Sequence, residues 1–372
     1  MALVGVLAVG LVLVFASTAS AATLTLSPTS GTAGTSVQAR GTGFGKKLRG
    51  SIDFGVTSVA MFRTNPKGTF STSFSVPDGY SGSVSVTART AAAAASTSFN
   101  VTGAPPPPPP GGDPVIAGAG DIAGDANDGE PTAKLLDSIA PTTVYTLGDN
   151  AYESGTIDQY RQFYDPTWGR HKAKTRPAPG NHEYQTPNGA GYFEYFNPLQ
   201  SYYSYDLGNW HLISLNGEIS HSPGSAQELF LQSDLATNTA AKCILAYWHE
   251  PRFTSGSVHG DNTSFDAFWQ DLYAAKADVV LNGHNHNYER FALQNPQAQA
   301  DSNGIREFVA GTGGRSHYGF TTPKPNSQVR NGDTFGVLKL TLHPGSYDWQ
   351  FVPIAGQTFT DSGTTSCHSS SP

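Results

Sequence analysis

The stretch Asp278-Val279-Val280-Leu281-Asn282-Gly283-His284-Asn285-His286 is an apolar run that breaks off into a glycine and two histidines. A short apolar run bounded by a turn signal reads as a buried strand over Val279 to Leu281. Two histidines at i and i+2 on the turn that follows have little packing purpose. They can hold two adjacent cations, or one cation from two sides. The same arrangement recurs upstream. Val115 to Ala119 leads into Gly120-Asp121-Ile122-Ala123, and Val144 to Leu147 into Gly148-Asp149-Asn150-Ala151-Tyr152. Arg176-Pro177-Ala178-Pro179 precedes Gly180-Asn181-His182-Glu183, and Cys243 to Trp248 ends in His249-Glu250-Pro251. Helix-patterned stretches alternate with these runs at Thr132 to Ile139, Ile157 to Tyr164, Ala226 to Leu235 and Phe265 to Ala275. Repeated β-then-α units predict a layered α/β domain, in which ligands bind where loops leave the carboxyl ends of strands.

Taken singly, the polar clusters allow bland readings. Gly-Asp pairs after strands are common turns, Asn181-His182-Glu183 fits a capped turn, and His249 fits a hydrogen-bonded edge histidine. Together, Asp and Asn oxygens with His nitrogens form a hard-to-borderline ligand set suited to Fe, Zn or Mn. Two metals about 3.5–4 Å apart could clamp a phosphoryl group and activate water. One carboxylate must then bridge them, and Asp149 is the natural candidate. None of the clusters contains a Ser or Cys nucleophile, which fits a water-based mechanism. Gly311-Thr312-Gly313-Gly314 lacks the Lys-Ser/Thr ending of a phosphate-binding P-loop and reads as a turn near the site mouth.

The ordered set Asp121, Gly148-Asp149-x-x-Tyr152, Gly180-Asn181-His182-Glu183, His249 and Gly283-His284-x-His286 resembles the calcineurin-like metallophosphoesterase superfamily over nearly all of residues 113–355. Tyr152, three residues after Asp149, is similar to the purple acid phosphatases, which use a tyrosinate on a ferric ion. Ala123 stands where many other members carry a ligand histidine, and Tyr152 would replace it. The resemblance implies a four-layer α-β-β-α sandwich. It places Asp121, Tyr152 and His286 on a first metal, and Asn181, His249 and His284 on a second, with Asp149 bridging. The metals implied are iron with zinc, manganese or a second iron. His182 would hydrogen-bond the phosphoryl oxygen or protonate the leaving group, with Glu183 orienting it. His259 is similarly placed to a histidine near the leaving group. Asn150, Arg252 and Tyr288 are weaker candidates for lining the pocket. The activity implied is hydrolysis of phosphomonoesters by a metal-bound hydroxide. The alternatives are a phosphodiesterase acting on nucleotides, cyclic nucleotides or phospholipid head groups, and a catalytically decayed surface-binding protein.

The rest of the chain sets the context. Residues 1–21 run from an apolar stretch to Ala19-Ser20-Ala21, the pattern of a secretory signal peptide, so the mature chain is expected to be secreted or at the cell surface, without a transmembrane span. Residues 22–103 alternate apolar and small polar residues between turns, predicting a small all-β sandwich. Their Ser27-to-Gly34 opening and Gly41-Thr42-Gly43-Phe44 turn resemble immunoglobulin-like domains of the IPT/TIG type. Residues 104–112, with six consecutive prolines, read as a stiff linker. The catalytic domain is expected over 113–355 and a C-terminal tail over 356–372. Two cysteines are too few for a disulfide framework or a thiolate metal site. In a secreted protein Cys243 and Cys367 would bridge and pin the tail.

The net charge of −7 divides into +5 on residues 23–103 and −12 on residues 104–372. An acidic catalytic half is a poor non-specific nucleic-acid binder. It suits an enzyme that needs cations to approach a small anionic substrate. The basic amino-terminal domain suggests contact with a cell-wall or other extracellular polymer.

Overall fold

The computed structural model describes residues 22–31, 35–55, 57–77, 80, 82–101, 112–125, 128–238, 241 and 243–368. The expected signal peptide and all but the last residue of the proline linker lie outside them. The chain divides into two compact units, Met1–Gly103 and Ala104–Pro372.

The first unit is all β. Strands β1 (Thr23–Ser27), β3 (Ser36–Thr42) and β6 (Phe70–Ser75) form a three-stranded sheet in the order β1-β3-β6. Strands β2 (Ser30–Gly31), β4 (Arg49–Phe54), β5 (Thr57–Arg63), β7 (Gly82–Thr90) and β8 (Ala94–Val101) form a five-stranded one, ordered β2-β8-β7-β4-β5. Alternation does the work. In β3, Val37 and Ala39 are buried and their neighbours exposed; in β4, Ile52 and Phe54 are buried. The inward residues of both sheets share one core with Phe44, Phe62, Phe70 and Phe99.

The second unit holds two further sheets. The first contains β9 (Val115–Ala119), β10 (Thr143–Leu147), β11 (Thr175–Ala178), β19 (Gly336–His343), β20 (Ser346–Pro353) and β21 (Ser362–Ser366), in the order β11-β10-β9-β19-β20-β21. The second contains β12 (Tyr203–Leu207), β13 (Trp210–Ser214), β14 (Cys243–Tyr247), β15 (Val279–Asn282), β16 (Tyr288–Phe291), β17 (Arg306–Ala310) and β18 (Ser327–Asn331), in the order β12-β13-β14-β15-β17-β16-β18. Strands β9, β10 and β11 run parallel, as do β13, β14, β15 and β17.

Successive residues of these strands serve different cores. Ile116 packs between the sheets with Leu212, Leu245 and Leu281. Its neighbour Ala117 faces the other way, against Ala133 and Leu136 of helix α1 (Glu130–Ile139) and a wall of aromatics that includes Tyr160, Tyr164, Trp168 and Tyr192. Those tyrosines come from the helical segment α2 (Ile157–Gln159), which continues as a π-helical turn, and from α3 (Ala190–Tyr195). On the far side, Ala246 and Val280 meet Leu231 of α4 (Ala226–Thr237) and Phe268, Trp269 and Leu272 of α5 (Asp266–Ala274). Helices, sheet, sheet and helices therefore stack as four layers. Strands buried on both faces explain why their sequences read as unbroken apolar runs.

One boundary is corrected. The segment expected as a tail over 356–372 supplies β21, which pairs antiparallel with β20 along five residues. Cys367 is bonded to Cys243. Asp361 accepts hydrogen bonds from Tyr288 at 2.8 Å and Arg290 at 2.6 Å. A polar, Ser/Thr-rich strand at a sheet edge carries little apolar alternation, so its pairing leaves a faint sequence signal.

Candidate metal centre and active site

Parallel strands in both sheets deliver their following loops to one rim. Asp121 follows β9, Asp149 follows β10, Asn181 follows β11, His249 follows β14, and His284 and His286 follow β15. Three of these residues sit in left-handed backbone: Asp121 (φ 60°), Asp149 (φ 50°) and His284 (φ 66°). Non-glycine residues adopt that conformation at some cost, and such strain concentrates at functional sites.

Two groups of side chains meet there. In the first, the Tyr152 hydroxyl donates to Asp121 Oδ1 at 2.9 Å and lies 3.3 Å from His286 Nε2, which is itself 3.3 Å from Asp121 Oδ1. In the second, His249 Nε2 lies 3.2 Å from Asn181 Oδ1 and 3.1 Å from His284 Nδ1. Asp149 Oδ2 touches both, at 3.0 Å from the Tyr152 hydroxyl and 3.3 Å from His249 Nε2. The structure thus brings together all seven residues expected as ligands. Asp121, Asp149 and His249 offer ligand atoms within 4.8 Å of one another.

The surrounding bonds orient the donors. His249 Nδ1 donates to the Leu147 carbonyl at 2.7 Å, which turns Nε2 toward the site. His286 Nδ1 lies 2.6 Å from Ser316 Oγ, and its ring stacks on Tyr318 at 4.0 Å. Fixing one ring nitrogen so that the other faces inward is what a histidine ligand needs.

The charges are out of water. Burial pushes the Asp121 carboxyl up, but the His286 charge and hydrogen bond outweigh it and hold it below the usual range. Asp149 behaves likewise, with His249 as the main opposing charge. Burial, then the two carboxylates, push the Tyr152 phenol well above its ordinary value. Burial, then the neighbouring His249 and His259, push His284 down to about 2. A phenol held protonated by two carboxylates in one group, and a histidine held neutral in the other, make a donor set that cations would complete: positive charge releases the phenol proton and offsets the buried carboxylates. The residues fit two metal ions.

The expected catalytic residues divide. His182 donates from Nδ1 to the Glu153 carbonyl at 2.5 Å, and its Nε2 lies 3.8 Å from Asp149 Oδ2. Its ring is 4.4 Å from that of Tyr152. The His259 ring lies 3.9 Å from that of His284. Glu183 is corrected: its carboxylate makes no bond to the His182 ring. Oε2 accepts from Asp149 N at 2.9 Å and Gly180 N at 2.7 Å, while Oε1 accepts from Asn150 N at 2.8 Å and the Tyr160 hydroxyl at 3.0 Å. With Ala151 N at 3.3 Å from Oε1, five donors converge on this buried carboxylate and tie two loops together beneath the site, so Glu183 positions both loops. Burial, then the charge of Asp149, push it up to about 7. Of the weaker candidates, Asn150 is buried and bonded to the Ala178 carbonyl at 3.1 Å. Tyr288 packs between the sheets, and Arg252 pairs with Asp266 on α5.

Sequence reasoning passed over Glu153, Arg315, Ser316 and Tyr318. The last three follow the glycine run after β17, whose close approach to the Asp121 turn was the available signal. Among the described residues, no helix is long and apolar enough to cross a membrane.

The family model of the calcineurin-like phosphoesterases matches residues 115–288. Those residues form a calcineurin-like phosphoesterase domain. The chain resembles purple acid phosphatases in particular. It is 26% identical over 257 residues to a protein of Arabidopsis thaliana named probable inactive purple acid phosphatase 1, covering 56% of this chain and 41% of that one. It is 26% identical over 239 residues to a nucleotide pyrophosphatase/phosphodiesterase of Hordeum vulgare, covering 53% of this chain and 64% of that one. The chain thus spans less than two thirds of the length of these relatives. The purple acid phosphatase PPD1 from yellow lupin seeds shares the fold, with a TM-score of 0.61 at 18% identity, over 89% of this chain and 72% of that one. The family implies two metal ions.

Proposed function

We propose that the chain is a secreted, binuclear-metal phosphoesterase that hydrolyses phosphomonoesters. The observation that carries this reading is Asp149 Oδ2, one oxygen in contact with both groups of candidate ligands. Asp121, Tyr152 and His286 would hold one ion, and Asn181, His249 and His284 the other. Tyr152 favours iron at the first position, paired with zinc, manganese or a second iron. Bound ions supply Lewis-acid chemistry, offsetting phosphoryl charge and activating water.

The protein's own groups do the rest. His182 Nδ1 is committed to the Glu153 carbonyl, so donation to a phosphoryl oxygen falls to Nε2 and requires the imidazolium. His259, beside His284, would serve the departing alcohol. Glu183 keeps Asp149 and Gly180 in register by their amides. The complete ligand set speaks against a decayed site, despite the name of the Arabidopsis relative. The barley relative keeps the phosphodiesterase reading as the second one.

The leader sequence and the Cys243–Cys367 bond support an oxidising, extracytoplasmic address. The amino-terminal unit, immunoglobulin-like in sequence, sets Arg49 opposite Arg63 on neighbouring strands, while Arg89, one strand further, pairs with Asp53 at 3.3 Å. Like charges opposed across a sheet are unfavourable without a counter-charge, which supports docking on an anionic wall polymer. Equal retention of the wild type and an Arg49→Glu, Arg63→Glu variant on purified cell wall would refute that docking.

The activity is tested with p-nitrophenyl phosphate and its bis ester on metal-analysed protein, alongside a visible spectrum. Faster monoester turnover supports the proposal. Turnover of the diester alone selects the second reading, and turnover of neither overturns both.

A further inference from the structure

The loop after β17 runs Gly311-Thr312-Gly313-Gly314-Arg315-Ser316. Its glycines serve a close backbone approach. A Cβ on Gly313 would stand 2.5 Å from the Gly120 carbonyl oxygen, and one on Gly311 would stand 2.6 Å from Asp121 Oδ2. The approach lets Gly313 N donate to the Gly120 carbonyl at 2.8 Å and Arg315 N to the Asp121 carbonyl at 3.0 Å. Arg315 is therefore tied by its backbone to a candidate metal ligand. Ser316, the next residue, contacts His286.

The Arg315 side chain lies over the site. Its Cζ is 5.1 Å from the centre of the Tyr152 ring. One guanidinium nitrogen pairs with Glu153, and another lies 3.9 Å from Asp128 Oδ2. Among the described residues, no other Lys or Arg pairs with or stacks on Tyr152, Glu153, His182 or the other six candidate ligands. The pair with Glu153 is open to water, with the arginine side chain 33% exposed and the glutamate 58%. Ion pairs exposed to this degree contribute little, so a better partner can displace Glu153. A phosphate is such a partner, because the planar guanidinium fork matches two of its oxygens. Glu153 holds His182 mainly through its backbone carbonyl at 2.5 Å, its carboxylate standing 3.9 Å from the ring, so release of Arg315 leaves the shorter bond in place.

We propose that Arg315 recognises the phosphomonoester dianion and that Glu153 holds it in place until the substrate arrives. This inference rests on the phosphoesterase reading and adds the basis of its selectivity. A monoester has three non-ester oxygens and two negative charges; a diester has two oxygens and one charge. A guanidinium at the rim finds an oxygen left over by two cations only in the monoester.

The test compares full-length wild type, Arg315→Ala, Arg315→Lys and Glu153→Gln. Each is assayed for kcat/KM on p-nitrophenyl phosphate and bis(p-nitrophenyl) phosphate, which release the same alcohol. Inorganic phosphate binding to the metal-loaded proteins is measured by calorimetry. Arg315→Ala should lose ~30-fold on the monoester and in phosphate affinity, the effect of one charge-assisted contact, and less than ~3-fold on the diester. Arg315→Lys should recover part of the loss. Glu153→Gln should lower KM for the monoester. Equal losses on both esters, or unchanged phosphate affinity in Arg315→Ala, would overturn the assignment. If the wild type hydrolyses neither ester, the phosphoesterase reading falls and the phosphate titration alone decides the role of Arg315.

Discussion

Gly180→Ala adds one methyl group at the most crowded point beneath the site. The new Cβ would stand 2.3 Å from Asp149 Oδ1, 2.6 Å from Asp149 N and 2.8 Å from His249 Cδ2. Ordinary contacts need about 3.5 Å, so something must shift by about 1 Å. None of the three neighbours can swing away freely. Asp149 Oδ1 is held by His182 N at 2.9 Å, Asp149 N by Glu183 at 2.9 Å, and the His249 ring by the Leu147 carbonyl at 2.7 Å. Metal coordination tolerates displacements of about 0.2 Å, so metal affinity should fall at least as far as when a ligand's supporting bond is lost, about 10–100-fold. Overpacking should also destabilise the metal-free fold by about 1–3 kcal/mol. Gly180 has no left-handed backbone, so alanine brings the clash without added torsional strain. Gly345→Ala is the control, because a Cβ there meets nothing within 4 Å. Competitive metal titration and urea unfolding read the two effects. A Gly180→Ala protein that binds metal as tightly as the control, with unchanged stability, would refute the packing of the Asp149 and Gly180 loops described here.

Other consequences can be measured separately. His211 lies between Asp206 at 2.7 Å and Asp234 at 2.6 Å; burial opposes its protonation, but the two carboxylates win and raise it to about 9. Its folded value exceeds its unfolded one, so its stabilisation is complete below pH ~6.5 and is lost as pH rises through about 9. A loss of roughly 2–3 kcal/mol in urea unfolding over that window should be absent in His211→Gln. The Cys243–Cys367 bond spans 124 residues of sequence, and Cys243→Ser should cost about 2–5 kcal/mol in the same assay. An iron-loaded wild type should show a visible charge-transfer band that Tyr152→Phe lacks; a band that survives would remove Tyr152 from the iron.

The centre of the fold was legible because β9, β10, β14 and β15 are buried on both faces, so each appears as an apolar run ending abruptly in polar residues. Six of the seven candidate ligands lie at those ends and Asn181 follows β11; the order of these clusters carried the family resemblance that implied the ligand set. What escaped depends on contacts remote in sequence. Glu183 follows His182 directly and suggested a partnership, but its carboxylate turns under the loop to meet amides of residues 149, 150 and 180. Arg315 carries no motif of its own, and only the backbone approach of Gly313 to Gly120 brings it to Tyr152. Strand β21 reads as tail because Ser362-Gly363-Thr364-Thr365-Ser366 offers no apolar face and is held by its neighbour β20, Asp361 and the disulfide.

The most direct test of the binuclear centre is metal stoichiometry by elemental analysis, on wild type and on Asp149→Ala, after reconstitution with iron and zinc. The bridging role predicts two ions per chain in the wild type and loss of tight metal binding in the variant. An Asp149→Ala protein that keeps both ions and full turnover would contradict it.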